Sequence, residues 1–216
     1  MKTIARFLPG DAIIRLQCVI IVVVALVFSA LLGSRFFSVA NFQSIGSQLP
    51  ILGMLALGMG MTMLTGGINL SIIAGANACS LVMAAIIVTH PDNPLFLVLA
   101  LLAGAAVAVA IGTLNGALIA WVGVSPILAP LGTMTLISGL NILLSNGTVI
   151  SGFPTAIQYL GNATIAGIPV ALLLFFLVAI LLWVLLEHTT LGRSLYLVGS
   201  NEQATRYSGV NTVRVQ

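Results

Sequence analysis

Three asparagines, Asn77, Asn115 and Asn141, stand in stretches that are otherwise almost wholly apolar. A carboxamide donates and accepts hydrogen bonds without changing charge. Two uses fit such a group among apolar neighbours: a bond between helices, with an average worth of about 0.6 kcal/mol, or a polar wall along a path for a hydroxylated solute. Both remain open from the sequence. The chemistry that is missing narrows the field further. No Ser/His/Asp grouping, no His or carboxylate pair at metal-ligand spacing, and no phosphate-binding glycine loop followed by Lys occurs in the chain. An enzyme with its own catalytic group or metal is therefore not expected.

The surroundings of these residues identify their solvent. Hydrophobic residues make up 60% of the 216-residue chain and charged ones 5%, against about 25% charged in soluble domains. Between Arg35 and Glu187 the only formally charged side chain is Asp92. A chain so poor in charge cannot cover itself with a water-facing surface, so lipid is expected around it. The formal charge of +3 does not indicate nucleic acid, because the seven Lys and Arg lie near the two ends and form no patch with interleaved aromatics. Cys18 and Cys79 sit within apolar runs and read as small core residues.

Helices must carry these residues across the bilayer. About 20 apolar residues span a ~30 Å hydrocarbon core, and six segments qualify: 12–32, 44–64, 70–89, 95–122, 126–145 and 168–186. The fourth is long enough to tilt or to end in a turn near Gly123. A strand barrel would need alternating polar and apolar residues, whereas 170–186 is apolar on every face. Lys2 and Arg6 precede the first run as they would in a signal peptide. That run exceeds the usual h-region of roughly 7–15 residues and more spans follow, so it is read as a retained helix. Lys2, Arg6 and Arg15 at one end, and Arg193, Arg206 and Arg214 at the other, place both termini in the cytoplasm, with Arg35 alone outside. The expected fold is an all-α polytopic bundle.

Small residues recur where helices would cross or turn: Gly53, Gly58 and Gly60 in the second span, Gly66 and Gly67 after it, and Gly112 with Gly116 in the fourth. Within the final cytoplasmic stretch, Ser200 or Asn201 can cap a short helix that has Glu202 in its first turn and Gly209 at its end. Ala204 and Ser208 share one face of that helix, leaving a small-residue surface another protein can approach. No acid, base or His lies near the middle of a span, so a charge-changing coupling site of the kind used by proton-driven carriers is not expected. Energy would have to come from elsewhere.

Three motifs in order resemble one family. The tail carries Gly192, Arg193, Val198, Gly199, Asn201, Ala204, Ser208, Gly209 and Val210. The connection after the second span reads Thr65-Gly66-Gly67-Ile68-Asn69-Leu70-Ser71. The fourth span holds Leu114-Asn115-Gly116, followed by Leu131-Gly132-Thr133. From about Asn41 to the end, the chain is similar to permease subunits of ribose-type ABC sugar importers. That resemblance implies one permease domain over 1–216, with 186–216 a cytoplasmic loop containing a coupling helix. It implies an inner-membrane subunit that pairs with a second permease subunit, identical or related, and passes a sugar along their interface. Two cytoplasmic ATP-binding subunits would hold ATP and Mg, this chain would bind no cofactor, and a periplasmic or extracellular solute-binding protein would deliver the sugar. Gly192, Arg193, Gly199, Asn201, Ala204, Ser208 and Gly209 become the coupling loop, with 199–209 seated in a groove of the ATPase. Gly66, Gly67, Asn69, Ser71, Asn77, Asn115 and Asn141 become candidates for the pathway or its turns. Two departures stand out: Asn69 replaces the family's usual Asp, and Ile73 with its neighbours replaces a Val-Gly. Family members also continue with further spans, so the chain is expected to be incomplete. A stand-alone carrier or channel, and a membrane assembly subunit without a pathway, are the alternatives.

Overall fold

A computed structural model describes residues 12–90, 93–154, 157 and 161–215, with Ile13 and Arg214 described by backbone alone. Lys2, Arg6 and Asp92, which entered the charge argument, lie outside the described residues. The helices are α1 (Ala12–Leu32), α2 (Val39–Leu64), α3 (Ile72–Thr89), α4 (Pro94–Ala120), α5 (Leu128–Ser145), α6 (Val170–His188), α7 (Thr190–Ser200), α8 (Glu202–Tyr207) and α9 (Thr212–Val215). Among the described residues, six helices are long and apolar enough to cross a membrane. The chain is thus an all-α polytopic membrane protein.

The chain divides into two compact units, Met1–Gly46 and Ser47–Gln216. In the first, α1 is followed by a 3-10 turn at Gly33–Arg35. The start of α2 is fixed by Ser38, whose hydroxyl accepts from the Asn41 N–H at 3.3 Å, and by the Asn41 amide, which donates to the Phe36 carbonyl at 2.8 Å. This cap sets the helix start at Val39, five residues before the apolar run that predicted it.

In the second unit, α3 packs on α4 and α5 through small residues. Ala74, Gly75 and Ala84 of α3, Ala100 and Gly104 of α4, and Ala129 and Pro130 of α5 are all buried. At Gly104 a Cβ would stand 2.6 Å from Met83 Sδ, so α3 and α4 touch there with nothing between. Outward positions carry Leu, Ile, Val and Phe, and α6 buries none of its residues within the chain, as suits helices facing hydrocarbon or another membrane chain.

The connections are capped locally. Asn93 accepts from Leu95 N at 3.0 Å, with Pro94 in the first turn of α4. Past α4 the chain reverses at Gly123, the expected turn. Asn146, with φ of 52°, ends α5. Among the described residues, the connection between α5 and α6 includes an antiparallel ribbon that pairs Thr164 with Pro169 and Ile165 with Ile168. Its tip, Ala166-Gly167, has positive φ at both residues, the geometry of a tight hairpin turn.

Because the α3–α4 contact depends on a missing side chain, Gly104→Leu is expected to lower the melting midpoint in detergent by several degrees, from an overpacking cost of about 1–3 kcal/mol. Heat-released reactivity of Cys79, followed with a thiol dye in a Cys18→Ser background, reports the midpoint. An unchanged midpoint would mean the two helices do not meet at Gly104.

Candidate functional site

The turn between α2 and α3 starts the arrangement. The Gly67 N–H returns to the Thr62 carbonyl at 3.1 Å, and Gly66 takes a φ of 85°, which a residue with a side chain adopts only under strain. Gly67 lies close under Pro126, so a Cβ there would be 3.3 Å from the proline ring. The turn then closes on Asn69, whose Oδ1 accepts from the Ser71 N–H at 3.1 Å and from the Ser71 hydroxyl at 2.7 Å.

From Ser71 a chain of bonds runs into the bundle. The Asn115 Nδ2 in α4 donates to Ser71 Oγ at 2.9 Å. The Thr133 hydroxyl in α5 donates to Asn115 Oδ1 at 2.7 Å. Ser71, Asn115 and Thr133 are 1%, 6% and 5% exposed, so water does not compete for these bonds. Each hydroxyl has one proton, and each is used once along the chain: Thr133 gives to Asn115, Asn115 to Ser71, and Ser71 to Asn69. The direction is consistent throughout. Asn69 acts only as an acceptor here, so a carboxylate could make the same two bonds. The replacement of Asp by Asn therefore leaves this turn's hydrogen bonding intact.

Asn141 is separate from that chain. Its Nδ2 donates to the Ala74 carbonyl at 3.0 Å and ties α5 to α3. Asn77 is exposed, and lines a cleft of about 490 Å³ with Ser80, Asn141, Ser145 and Thr148. A smaller cavity of about 160 Å³ lies beside the turn, walled by Thr62, Thr65, Asn69, Gly112 and Asn115. The candidate residues thus fall into two places. Gly67, Asn69, Ser71 and Asn115 gather at the turn, and Asn77 and Asn141 gather at the cleft. Every polar side chain in both places is uncharged, so they offer hydrogen bonds and no proton-transfer group.

The tail forms a third locus. The Thr189 hydroxyl accepts from the Gly192 N–H at 3.1 Å and starts α7. A Cβ at Gly192 would run into the Leu185 and Leu186 carbonyls, so only glycine lets α7 fold back on the end of α6. Leu195 and Val198 bury the same side of α7. Asn201 caps α8 by accepting from Ala204 N at 3.0 Å, and Gly209 follows its end with φ of 87°, as the sequence indicated. The buried Thr205 hydroxyl lies 2.8 Å from the Leu197 carbonyl and 2.7 Å from that of Asn201, which joins α7 to α8. Arg193, Ala204 and Ser208 are exposed. Gly199 is exposed too, but on one side it approaches the chain itself: a Cβ there would overlap the Leu64 carbonyl oxygen and lie 3.6 Å from Thr65 Cα.

Sequence reasoning missed three residues at these loci. Thr133 stands in a quoted motif, but its partner lies 18 residues away on another helix. Thr205 had no signal beyond its type. Tyr207, 92% exposed beside Ala204 and Ser208, is an aromatic on a short polar helix, a pattern that could have marked it as a contact residue.

Thr133→Val keeps the shape and leaves Asn115 Oδ1 without its donor, a loss of about 1–3 kcal/mol. It is expected to lower the Cys79 melting midpoint, while Thr133→Ser restores it. Thr135 bonds only its own helix, at the Leu131 carbonyl, so Thr135→Val should change stability by less than about 0.5 kcal/mol. Equal midpoints for Thr133→Val and Thr135→Val would remove the hydroxyl from the joint between α4 and α5.

Comparison with known proteins gives these loci a context. The profile of the family described as branched-chain amino acid transport system / permease component matches residues 41–216. The chain is 34% identical over 195 residues to the ribose import permease protein RbsC of Bacillus subtilis, covering 89% of this chain and 59% of that protein. It is 33% identical to the autoinducer 2 import system permease protein LsrD of Yersinia enterocolitica (84% and 55% covered). To the D-allose transport system permease protein AlsC of Escherichia coli it is 29% identical (89% and 58% covered). The chain therefore spans under two thirds of the length of these relatives. No solved structure matches. The matched region includes the Asn69–Thr133 bond chain, the cleft and the whole tail, and the chain belongs to the family of branched-chain amino acid transport system permease components, as a multi-pass protein of the inner membrane.

Proposed function

We propose that the chain is the membrane-spanning permease subunit of an ATP-driven importer for a sugar or a similar hydroxylated solute. The observation that carries this reading is the tail: an exposed, capped helix, α8, locked to α7 by Thr205 and presenting Ala204, Tyr207 and Ser208 outward. A helix with this exposure, following six apolar spans, suits docking to a soluble partner. The spans contribute the complementary fact that no charged group lies near their centres, so the driving reaction belongs to another subunit. Two cytoplasmic ATP-binding subunits hold ATP and Mg and receive the exposed face of α8 within the 199–209 stretch. A solute-binding protein delivers the solute from outside. Both termini face the cytoplasm, and 1–216 acts as one permease domain with no catalysis of its own.

The solute class follows from the cleft. Asn77, Ser80, Asn141, Ser145 and Thr148 offer carboxamide and hydroxyl groups that pair with sugar hydroxyls without binding a charge. Relatives named for ribose and D-allose import support the same class. The solute passes between this chain and a second permease subunit, in a homodimer or a heterodimer.

The test is to express the full chain with its cognate ATP-binding subunit and solute-binding protein, and to measure uptake of a panel of radiolabelled pentoses and hexoses into vesicles. ATP-dependent uptake of one of them is expected. Ala204→Arg should abolish co-purification of the ATP-binding subunit while leaving membrane insertion intact. Tyr207→Ala should weaken that association about tenfold, the effect of losing one aromatic anchor. Full co-purification and full uptake with both variants would rule out α8 as the docking element.

A further inference from the structure

The extensive helix packing in the second unit falls into two groups, α3–α4–α5 and α6–α7–α8–α9. The last turns of α2 touch both. Towards the second group, a Cβ at Gly53 would stand 2.5 Å from Phe175 Cε2, and the Leu64 carbonyl lies under Gly199. Between those two points α2 and α6 are separated by an apolar groove of about 420 Å³, lined by Ala56, Leu57 and Gly60 among others. Towards the first group, a Cβ at Gly58 would stand 2.8 Å from Ile72 Cδ1, and the chain continues from Leu64 straight into the Asn69 turn.

The end of α2 is therefore held by backbone against backbone, and Gly199 is the residue that permits it. On its far side, α7 and α8 form one body. Asn201 N donates to the Leu197 carbonyl at 3.0 Å, and the Thr205 hydroxyl reaches the same carbonyl. On its near side, Thr65 leads through the Gly66-Gly67 reversal to Asn69, and from there the bond chain passes through Ser71 and Asn115 to Thr133. Every step is a covalent link, a hydrogen bond or a hard contact: from Gly199 to Asn69 the route is backbone, and beyond Asn69 it runs through the side-chain bonds of Ser71, Asn115 and Thr133. A displacement of α7–α8 has little slack in which to dissipate before it reaches Asn69.

We infer that Gly199 is a positioning residue, not a docking residue: its contact with Leu64 and Thr65 delivers movement of α7–α8 to the Asn69–Ser71–Asn115–Thr133 chain. The inference rests on the proposed importer reading, in which α8 is moved by an ATP-binding subunit. It separates two roles that lie only five residues apart, with Ala204 facing the partner and Gly199 facing the chain's own α2.

A contiguous route becomes a coupling route only when both ends are seen to move together. The reporter is Ile68→Cys, at an exposed position within the turn, in a Cys18→Ser, Cys79→Ala background of the full chain co-purified with its ATP-binding subunit. Its labelling rate with a water-soluble maleimide is expected to change at least threefold when Mg and the non-hydrolysable analogue AMP-PNP are added. Gly199→Val is expected to erase that change while ATP-binding subunit recovery stays within twofold of the parent. Thr205→Val, which cuts the lock between α7 and α8 without altering shape, should do the same and decides the matter if Gly199→Val does not insert. A purely structural role would lower recovery and nucleotide response together. Retention of the threefold change in these variants overturns the inference. So does loss of subunit recovery with Gly199→Val, which would return Gly199 to the docking surface, and so does a parent protein whose labelling ignores nucleotide. Failure of the parent to recover any ATP-binding subunit brings down the importer reading itself, and the inference with it.

Discussion

Hydrocarbon offers no hydrogen bonds, and this single fact governs where polar groups can stand in the chain. A buried amide or hydroxyl without a partner costs several kcal/mol in such a medium. The bundle answers with a closed relay: Thr133, Asn115, Ser71 and Asn69 each give or receive so that none of the bonds conflicts in direction. Among the described residues, no buried side-chain nitrogen or oxygen lacks a partner. The relay also fixes geometry, because its members come from α4, α5 and the turn that precedes α3. Apolar packing in lipid gains little from the hydrophobic effect, so close contacts and such bonds carry the burden of holding helices in register.

Close contacts depend on glycines at defined places, and the glycines divide by task. Gly104 brings α3 against α4, Gly192 lets α7 turn back on α6, and Gly199 sets α7 on the end of α2. Gly66 serves differently, since space around it is open and its φ is what matters. The distinction has consequences for substitution. Alanine at Gly66 meets backbone strain, and alanine at Gly199 meets a carbonyl oxygen.

Much of the architecture was legible because its cause is local. Runs of apolar residues gave all six spans, and Asn201 with Gly209 bracketed α8, since a cap and a stop act over three or four residues. Boundaries shifted where a cap outweighed hydropathy: Ser38 and Asn41 begin α2 at Val39, and Asn69 delays α3 until Ile72. The site was only partly legible. Asn77, Asn115 and Asn141 looked equivalent in sequence, yet Asn115 bonds Ser71 across 44 residues, Asn141 bonds Ala74 across 67, and Asn77 is exposed in a cleft. Nothing near each asparagine distinguishes them, because their partners are decided by which helices meet. The same reason hid Thr133, and it hid the approach of Gly199 to Leu64.

The absence of charge from the bond relay bears on how such a protein can work. A carboxylate at position 69 would strengthen the two bonds to Ser71 by its charge, whereas the carboxamide here leaves them neutral. Neutral bonds of roughly 1 kcal/mol each can be broken and remade by modest mechanical work. A relay built from them can hold a bundle in one packing and allow another when force arrives from outside. In the proposed importer reading, the uncharged interior and the exposed tail helix are two aspects of one design: a membrane part without a charge-changing group, joined through the Gly199 contact to the surface proposed to receive the ATP-binding subunit.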